Sequence, residues 1–93
     1  MRTQRSVCAL VSGQVQGVFY RFSLQHEARA RGLKGWVRNL RDRRVEFLAQ
    51  GDADAVRTLL DWSRKGPPDA RVVEVDVREV PFEPELRRFE IRF

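Results

Sequence analysis

Cysteine and histidine are nearly absent from this 93-residue sequence, which contains one of each, Cys8 and His26. One cysteine cannot form an internal disulfide, and a zinc site needs several such ligands, so we expect neither a disulfide framework nor a metal site. No segment approaches the ~18 consecutive apolar residues of a membrane span, and residues 1–6 precede no signal-peptide core. A cytoplasmic protein without a cofactor is therefore expected.

Lysine is also scarce: sixteen of the eighteen basic residues are arginine. The net charge of the chain is +5. A basic domain can bind nucleic acid or attract small anions. Here the arginines are scattered along the chain, so most of them are expected on a solvated surface. With 42% apolar residues the sequence is typical of a globular protein, and its length predicts one domain over residues 1–93.

Two glycines stand between an apolar segment at 7–11 and a helix-like segment, in the run Gly13-Gln14-Val15-Gln16-Gly17-Val18-Phe19-Tyr20-Arg21. Where a strand leads through such a loop into a helix, backbone N–H groups can converge on an anion. Arg21 adds a planar, permanently charged guanidinium. Taken alone, these glycines favour an ordinary turn over an anion-binding loop.

Periodicity places the other elements. Alternating residues predict strands at 7–12, 45–50, 73–78 or on to 80, and 89–93, and the segment 33–40, which contains Trp36 and Val37, is also predicted as a strand. Helices are predicted at about 21–31, with a buried stripe of Phe22, Leu24, Ala28 and Ala30, and after the N-cap Asp52, with a stripe of Val56, Leu59, Leu60 and Ser63. The order β-α-β-β-α-β plus a short C-terminal strand predicts an α+β, ferredoxin-like sandwich, with both helices on one face of an antiparallel sheet.

Four motifs can be read together: Gly13-x-Val15-Gln16-Gly17-Val18-x-Tyr20-Arg21, Gly35-Trp36-Val37-Arg38-Asn39, Gln50-Gly51 and Gly66-Pro67-Pro68-x-Ala70-x-Val72. In these motifs, and over about residues 7–93, the chain resembles the acylphosphatase family. Two features depart from the family pattern. Tyr20 stands where phenylalanine is most common, and Asp42 is not followed by the glycine that many relatives carry.

The resemblance implies an enzyme that hydrolyses acyl phosphates to a carboxylate and inorganic phosphate, without a metal and without a covalent intermediate. It implies catalytic roles for Arg21, which binds phosphate, and Asn39, which positions the attacking water. It also implies a substrate-binding loop that acts through backbone N–H groups, formed by Gln16, Gly17, Val18, Phe19 and Tyr20. The chemistry is consistent, because a carboxylate leaving group with a conjugate-acid pKa near ~4 needs no general acid.

Two other functions remain open at this stage. Ferredoxin-like sheets also bind RNA through aromatic residues on central strands, a pattern that this chain lacks. A non-catalytic, phosphate-binding or regulatory domain is the second alternative. We expect a monomer whose partners are a small acyl phosphate and inorganic phosphate, with no nucleic acid and no membrane as partners.

Overall fold

The computed structural model describes residues 3–93, which form two helices packed on a five-stranded sheet. The elements are β1 (Gln4–Gln14), α1 (Tyr20–Ala30), β2 (Lys34–Asn39), β3 (Val45–Asp52), α2 (Ala53–Ser63), β4 (Arg71–Glu79) and β5 (Phe89–Arg92). The strand order is β4-β1-β3-β2-β5. The four main strands pair antiparallel, as expected, whereas β5 lies parallel to β2, so the complete sheet is mixed.

The core lies between the sheet and the two helices. Across the central pair, Val7, Ala9 and Val11 of β1 face Ala49, Phe47 and Val45 of β3, and all six side chains are fully buried. Helix α2 buries the four predicted residues, Val56, Leu59, Leu60 and Ser63. Both helices contribute to this one cluster, which confirms the predicted two-layer arrangement.

The buried stripe of α1 differs from the prediction. The helix begins at Tyr20 and buries Tyr20, Leu24 and Ala28, while Phe22 is 54% exposed and Ala30 is also exposed. Residues four apart lie on the same helix face, whereas Phe22 is rotated about 200° from Tyr20. The aromatic residue in the core is therefore Tyr20, and Phe22 is left at the surface.

A bulge in β4 changes the expected alternation there. Ser12 pairs with Glu74 but Gly13 pairs with Val72, so Val73 is the extra residue, and its side chain is 81% exposed. Gly13 has φ +127°, and a Cβ at this position would lie 2.1 Å from the carbonyl oxygen of Arg71. Gly13 thus lies within β1 and permits close approach of β4, and it is not the strand-exit residue that we expected.

Candidate functional site

A short loop, residues 15–19, joins the end of β1 to the first residue of α1. Gly17 has φ 76° and Phe19 has φ 64°, so two of its residues are left-handed. Among residues 3–93, and apart from Gly17 and its two chain neighbours, no atom lies within 4 Å of a Cβ placed on Gly17, so the backbone angle favours glycine here. The left-handed conformation of Phe19 costs about 1–2 kcal/mol. Strain of this kind is concentrated at functional sites.

The loop leaves a row of backbone donors without protein acceptors. Among the hydrogen bonds of residues 3–93, none is donated by a backbone N–H group of residues 16–21. The N-cap residue Phe19 supplies no side-chain acceptor, and the first turn of α1 contains no acidic residue. The partial positive charge of a helix N-terminus and these N–H groups together favour a bound anion.

Arg21 lies in the first turn of α1 and is held by the C-terminal residues of the chain. Its Nη1 lies 3.5 Å from the carbonyl oxygen of Arg92, and its guanidinium lies 4.8 Å from the ring centroid of Phe93. Phe93 itself is 98% exposed and follows the last residue of β5. The guanidinium is therefore placed partly by a segment far away in sequence.

Asn39 is the last residue of β2 and pairs with Val45 of β3. Alternation puts its side chain on the helix-covered face, together with the buried side chain of Val37. The Oδ1 atom of Asn39 is buried, and no donor of the described residues reaches it. An unsatisfied buried acceptor costs about 1–3 kcal/mol, so a buried oxygen of this kind requires an explanation.

A cavity of about 310 Å³ brings these groups together. It is lined by Val15, Gln16, Gly17, Phe19, Tyr20, Arg21, Phe22 and Asn39. Six of the seven residues that the sequence indicated thus line one cavity. The exception is Val18, whose side chain packs against the core while its N–H group belongs to the row of unpaired donors.

Two lining residues, Val15 and Phe22, were not among the candidate site residues from the sequence. Phe22 was missed because periodicity assigned it to the core. Phe22 also lines a larger groove of about 900 Å³ between α1 and residues 62–70. That groove contains neither Arg21 nor Asn39. Of the two, only the smaller cavity is lined by both Arg21 and Asn39.

Tyr20 also makes structural contacts that the sequence did not indicate. Its hydroxyl donates to the carbonyl oxygen of Ser63 at 2.7 Å, and its ring lies 5.7 Å from that of Trp62. Burial raises the pKa of the Tyr20 phenol, so the group stays protonated and remains a donor. Tyr20 stands at the position where the family pattern described above most often has phenylalanine. Its hydroxyl thus connects the end of the loop to the last residue of α2.

In the hairpin between β2 and β3, Arg43 occupies the position after Asp42 at which many relatives carry glycine. Arg43 takes φ 78° directly after Asp42, and the Oδ1 atom of Asp42 accepts a hydrogen bond from the backbone N–H of Arg44 at 3.1 Å. The turn therefore keeps a left-handed residue next to Asp42, and Asn39 remains at the end of a paired strand.

Cys8 and His26 lie outside this cavity. Cys8 is buried on the face of the sheet opposite the helices. Burial is the main cause that raises the pKa of its thiol, and the negative charge of Glu46 raises it further. His26 is exposed on α1. Within residues 3–93, no three His, Cys, Asp or Glu side chains are grouped as a metal site would require. In the same range, no helix combines the length and apolar character needed to cross a membrane.

Fold and site together define a two-layer α+β protein with a loop of unpaired backbone N–H groups at the start of its first helix and an amide side chain at the end of another strand, in one cavity. Residues 7–91 match the family described as Acylphosphatase. The chain is 52% identical over 87 residues to the acylphosphatase of Methylococcus capsulatus, covering 94% of this chain and 95% of that protein. The chain belongs to the acylphosphatase family.

Solved structures agree with this assignment. An acylphosphatase from Coxiella burnetii superposes with a TM-score of 0.91 at 38% identity, covering 96% of this chain and 93% of that one. The crystal structure of an acylphosphatase from Bacillus subtilis also gives a TM-score of 0.91, at 35% identity, with 98% and 100% coverage. Both matches support the ferredoxin-like architecture as well as the family.

Proposed function

We propose that this protein is an acylphosphatase whose catalytic groups are the N–H groups of residues 16–20, Arg21 and Asn39. The observation that carries the assignment of residues is that Asn39, whose buried Oδ1 accepts from no donor of residues 3–93, lines the same cavity as Arg21 and the loop with unpaired N–H groups. A tetrahedral dianion supplies acceptors for the donors, and an attacking water supplies a donor for the oxygen.

The loop and Arg21 bind the transferring phosphoryl group. Backbone N–H groups and a guanidinium form short, charge-assisted hydrogen bonds to phosphate oxygens. Because they are fixed before the substrate arrives, they stabilise charge that is redistributed over these oxygens in the transition state. Phosphoryl transfer depends mainly on such positioning and electrostatic stabilisation.

Asn39 holds the attacking water through its side-chain amide. The water oxygen forms a bond to phosphorus while the bond between phosphorus and the acyl oxygen breaks, and the electron pair leaves with the carboxylate. An amide is not a strong base, so the water proton passes to a phosphate oxygen or to solvent. The carboxylate leaves without protonation, because its conjugate acid has a pKa of about 4.

Hydrolysis of benzoyl phosphate in the presence of a chelator tests the activity. We expect turnover that the chelator leaves unchanged and that inorganic phosphate inhibits competitively. Folded protein without turnover would contradict the proposed activity, and turnover lost with the chelator would contradict the metal-free mechanism.

Asn39→Ala separates the two proposed roles within the site. We expect the variant to lose at least about 10²-fold in kcat, as for other preorganised polar groups, while the inhibition constant of phosphate changes little. Equal losses in both quantities would mean that Asn39 binds phosphate and does not position water. Val37→Ala, on the same strand face, serves as the control for a general loss of packing.

The proposal also includes a monomer in the cytoplasm that acts on small acyl phosphates and needs neither nucleic acid nor membrane. This part rests on sequence composition. Size-exclusion chromatography with light scattering tests the oligomeric state, and a stable dimer would contradict it.

A further inference from the structure

The side chain of Gln16 connects the loop to the hairpin between β2 and β3. Its Nε2 donates to the carbonyl oxygen of Leu40 at 2.8 Å and to that of Arg44 at 3.1 Å. The backbone N–H of Leu40 in turn donates to the carbonyl oxygen of Arg44 at 2.8 Å. The amide thus binds the hairpin where its two strands end, one residue beyond Asn39.

No other hydrogen bond within residues 3–93 joins loop 15–19 to residues 39–45. Asn39 itself has a buried Oδ1 without a donor, so that oxygen is not anchored by the protein. The separation between the loop and Asn39 therefore depends on backbone position. The two bonds from Gln16 fix that position next to Asn39, because consecutive Cα atoms lie only about 3.8 Å apart.

We propose that Gln16 is a positioning residue, whose side chain sets the distance between the phosphate bound by the loop and the water held by Asn39. This inference rests on the proposed function and extends it from the backbone of Gln16 to its side chain. The NH₂ group of an amide offers two hydrogens, which match two carbonyl oxygens without placing a further charge beside Arg21.

Attack on phosphorus requires that the water and the phosphoryl group stay aligned. A displacement of about 1 Å between reacting groups can lower a rate by about 10²-fold. Loss of the Gln16 amide would let the hairpin move relative to the loop, but the loop would keep its N–H groups and Arg21. The expected consequence is slower turnover with nearly unchanged phosphate binding.

Gln16→Leu removes both hydrogen bonds and keeps a side chain of similar size. We expect kcat for benzoyl phosphate to fall by about 10- to 100-fold, as for misaligned reacting groups, while the inhibition constant of inorganic phosphate changes less than about twofold. If this variant does not fold, Gln16→Met provides the same loss of donors with an unbranched chain. Normal kcat, or phosphate affinity lost in proportion to kcat, would overturn the inference.

A double-mutant cycle with Asn39→Ala distinguishes a positioning role of Gln16 from a general structural role, because it measures whether the effect of Gln16→Leu on kcat depends on Asn39. If Gln16 acts through Asn39, Gln16→Leu should cost less than about twofold in kcat when Asn39 is already alanine. Additive losses would overturn the positioning role while leaving the proposed function intact. Wild-type protein that does not hydrolyse benzoyl phosphate would instead overturn the proposed function itself.

Gln25→Leu is the matched control. The Nε2 of Gln25 also donates to a backbone carbonyl, that of Phe89 at 3.1 Å, and Gln25 likewise connects an element before β2 to a distant segment. Its removal breaks the same type of bond outside the cavity lining. We expect kcat to remain within about twofold of wild type, whereas a loss equal to that of Gln16→Leu would overturn the inference.

Discussion

Helix α2 begins with a capped first turn, whereas helix α1 begins with backbone donors that find no acceptor among residues 3–93. At α2, the side chain of Asp52 accepts from the N–H of Ala55 at 3.3 Å, and the acidic Asp54 lies in the first turn. Both features match the partial positive charge of a helix N-terminus. The start of α2 therefore has the chemistry of a structural helix end.

At α1 the same positions carry the opposite chemistry. The residue before the helix is Phe19, which is left-handed and supplies no cap, and the second helical residue is Arg21, where α2 has Asp54. A cation at this position is slightly unfavourable by itself. One helix start is thus satisfied by its own sequence, while the other has unpaired donors and a cation, which is the chemistry that our proposal of a bound phosphate requires.

Among substitutions at the two helix starts, Arg21→Gln should have the largest effect on activity. We expect turnover of benzoyl phosphate to fall by at least ~10²–10³-fold, as when a preorganised oxyanion donor is lost, together with loss of phosphate inhibition. Asp54→Asn, at the corresponding position of α2, is the control and should leave both quantities unchanged. Near-normal affinity for inorganic phosphate in the Arg21→Gln variant would refute the role of Arg21.

A negative charge at the residue before α1 should have a smaller effect. Phe19→Asp places a carboxylate beside the unpaired N–H groups, where it competes with and repels the substrate. We expect it to raise the KM about tenfold more than Phe19→Asn does, since a charge within a few Å contributes about 1–4 kcal/mol at partly solvated sites. Equal KM values for the two variants would indicate that the anion binds elsewhere.

Removal of the structural cap should have the smallest effect on function. Asp52→Ala is expected to lower the free energy of unfolding by about 1 kcal/mol, as for other N-caps, with kcat/KM unchanged. Urea denaturation together with the benzoyl phosphate assay measures both quantities. Reduced activity at full stability would show that the two helix starts are not functionally separate.

Local sequence signals predicted most of the fold and part of the site. The alternation in β1 and β3, the cap at Asp52 and the stripe of α2 were correct, because each depends on residues within one element. The stripe of α1 was wrong, because the start of the helix was placed one residue too late and Phe22 replaced Tyr20. The bulge at Val73 was missed, since the position of the extra residue depends on pairing with Gly13.

The glycines of the loop, the arginine that follows them and the order of strands and helices are local properties, and the sequence by itself determined them. Tertiary structure decided which distant groups meet the loop. It set β5 parallel to β2, placed Arg92 and Phe93 against Arg21, and brought Asn39, whose Oδ1 is buried without a donor, into the lining of the cavity. The physical reason is that strand register and contacts between elements depend on packing summed over the whole core, which no short stretch of sequence contains.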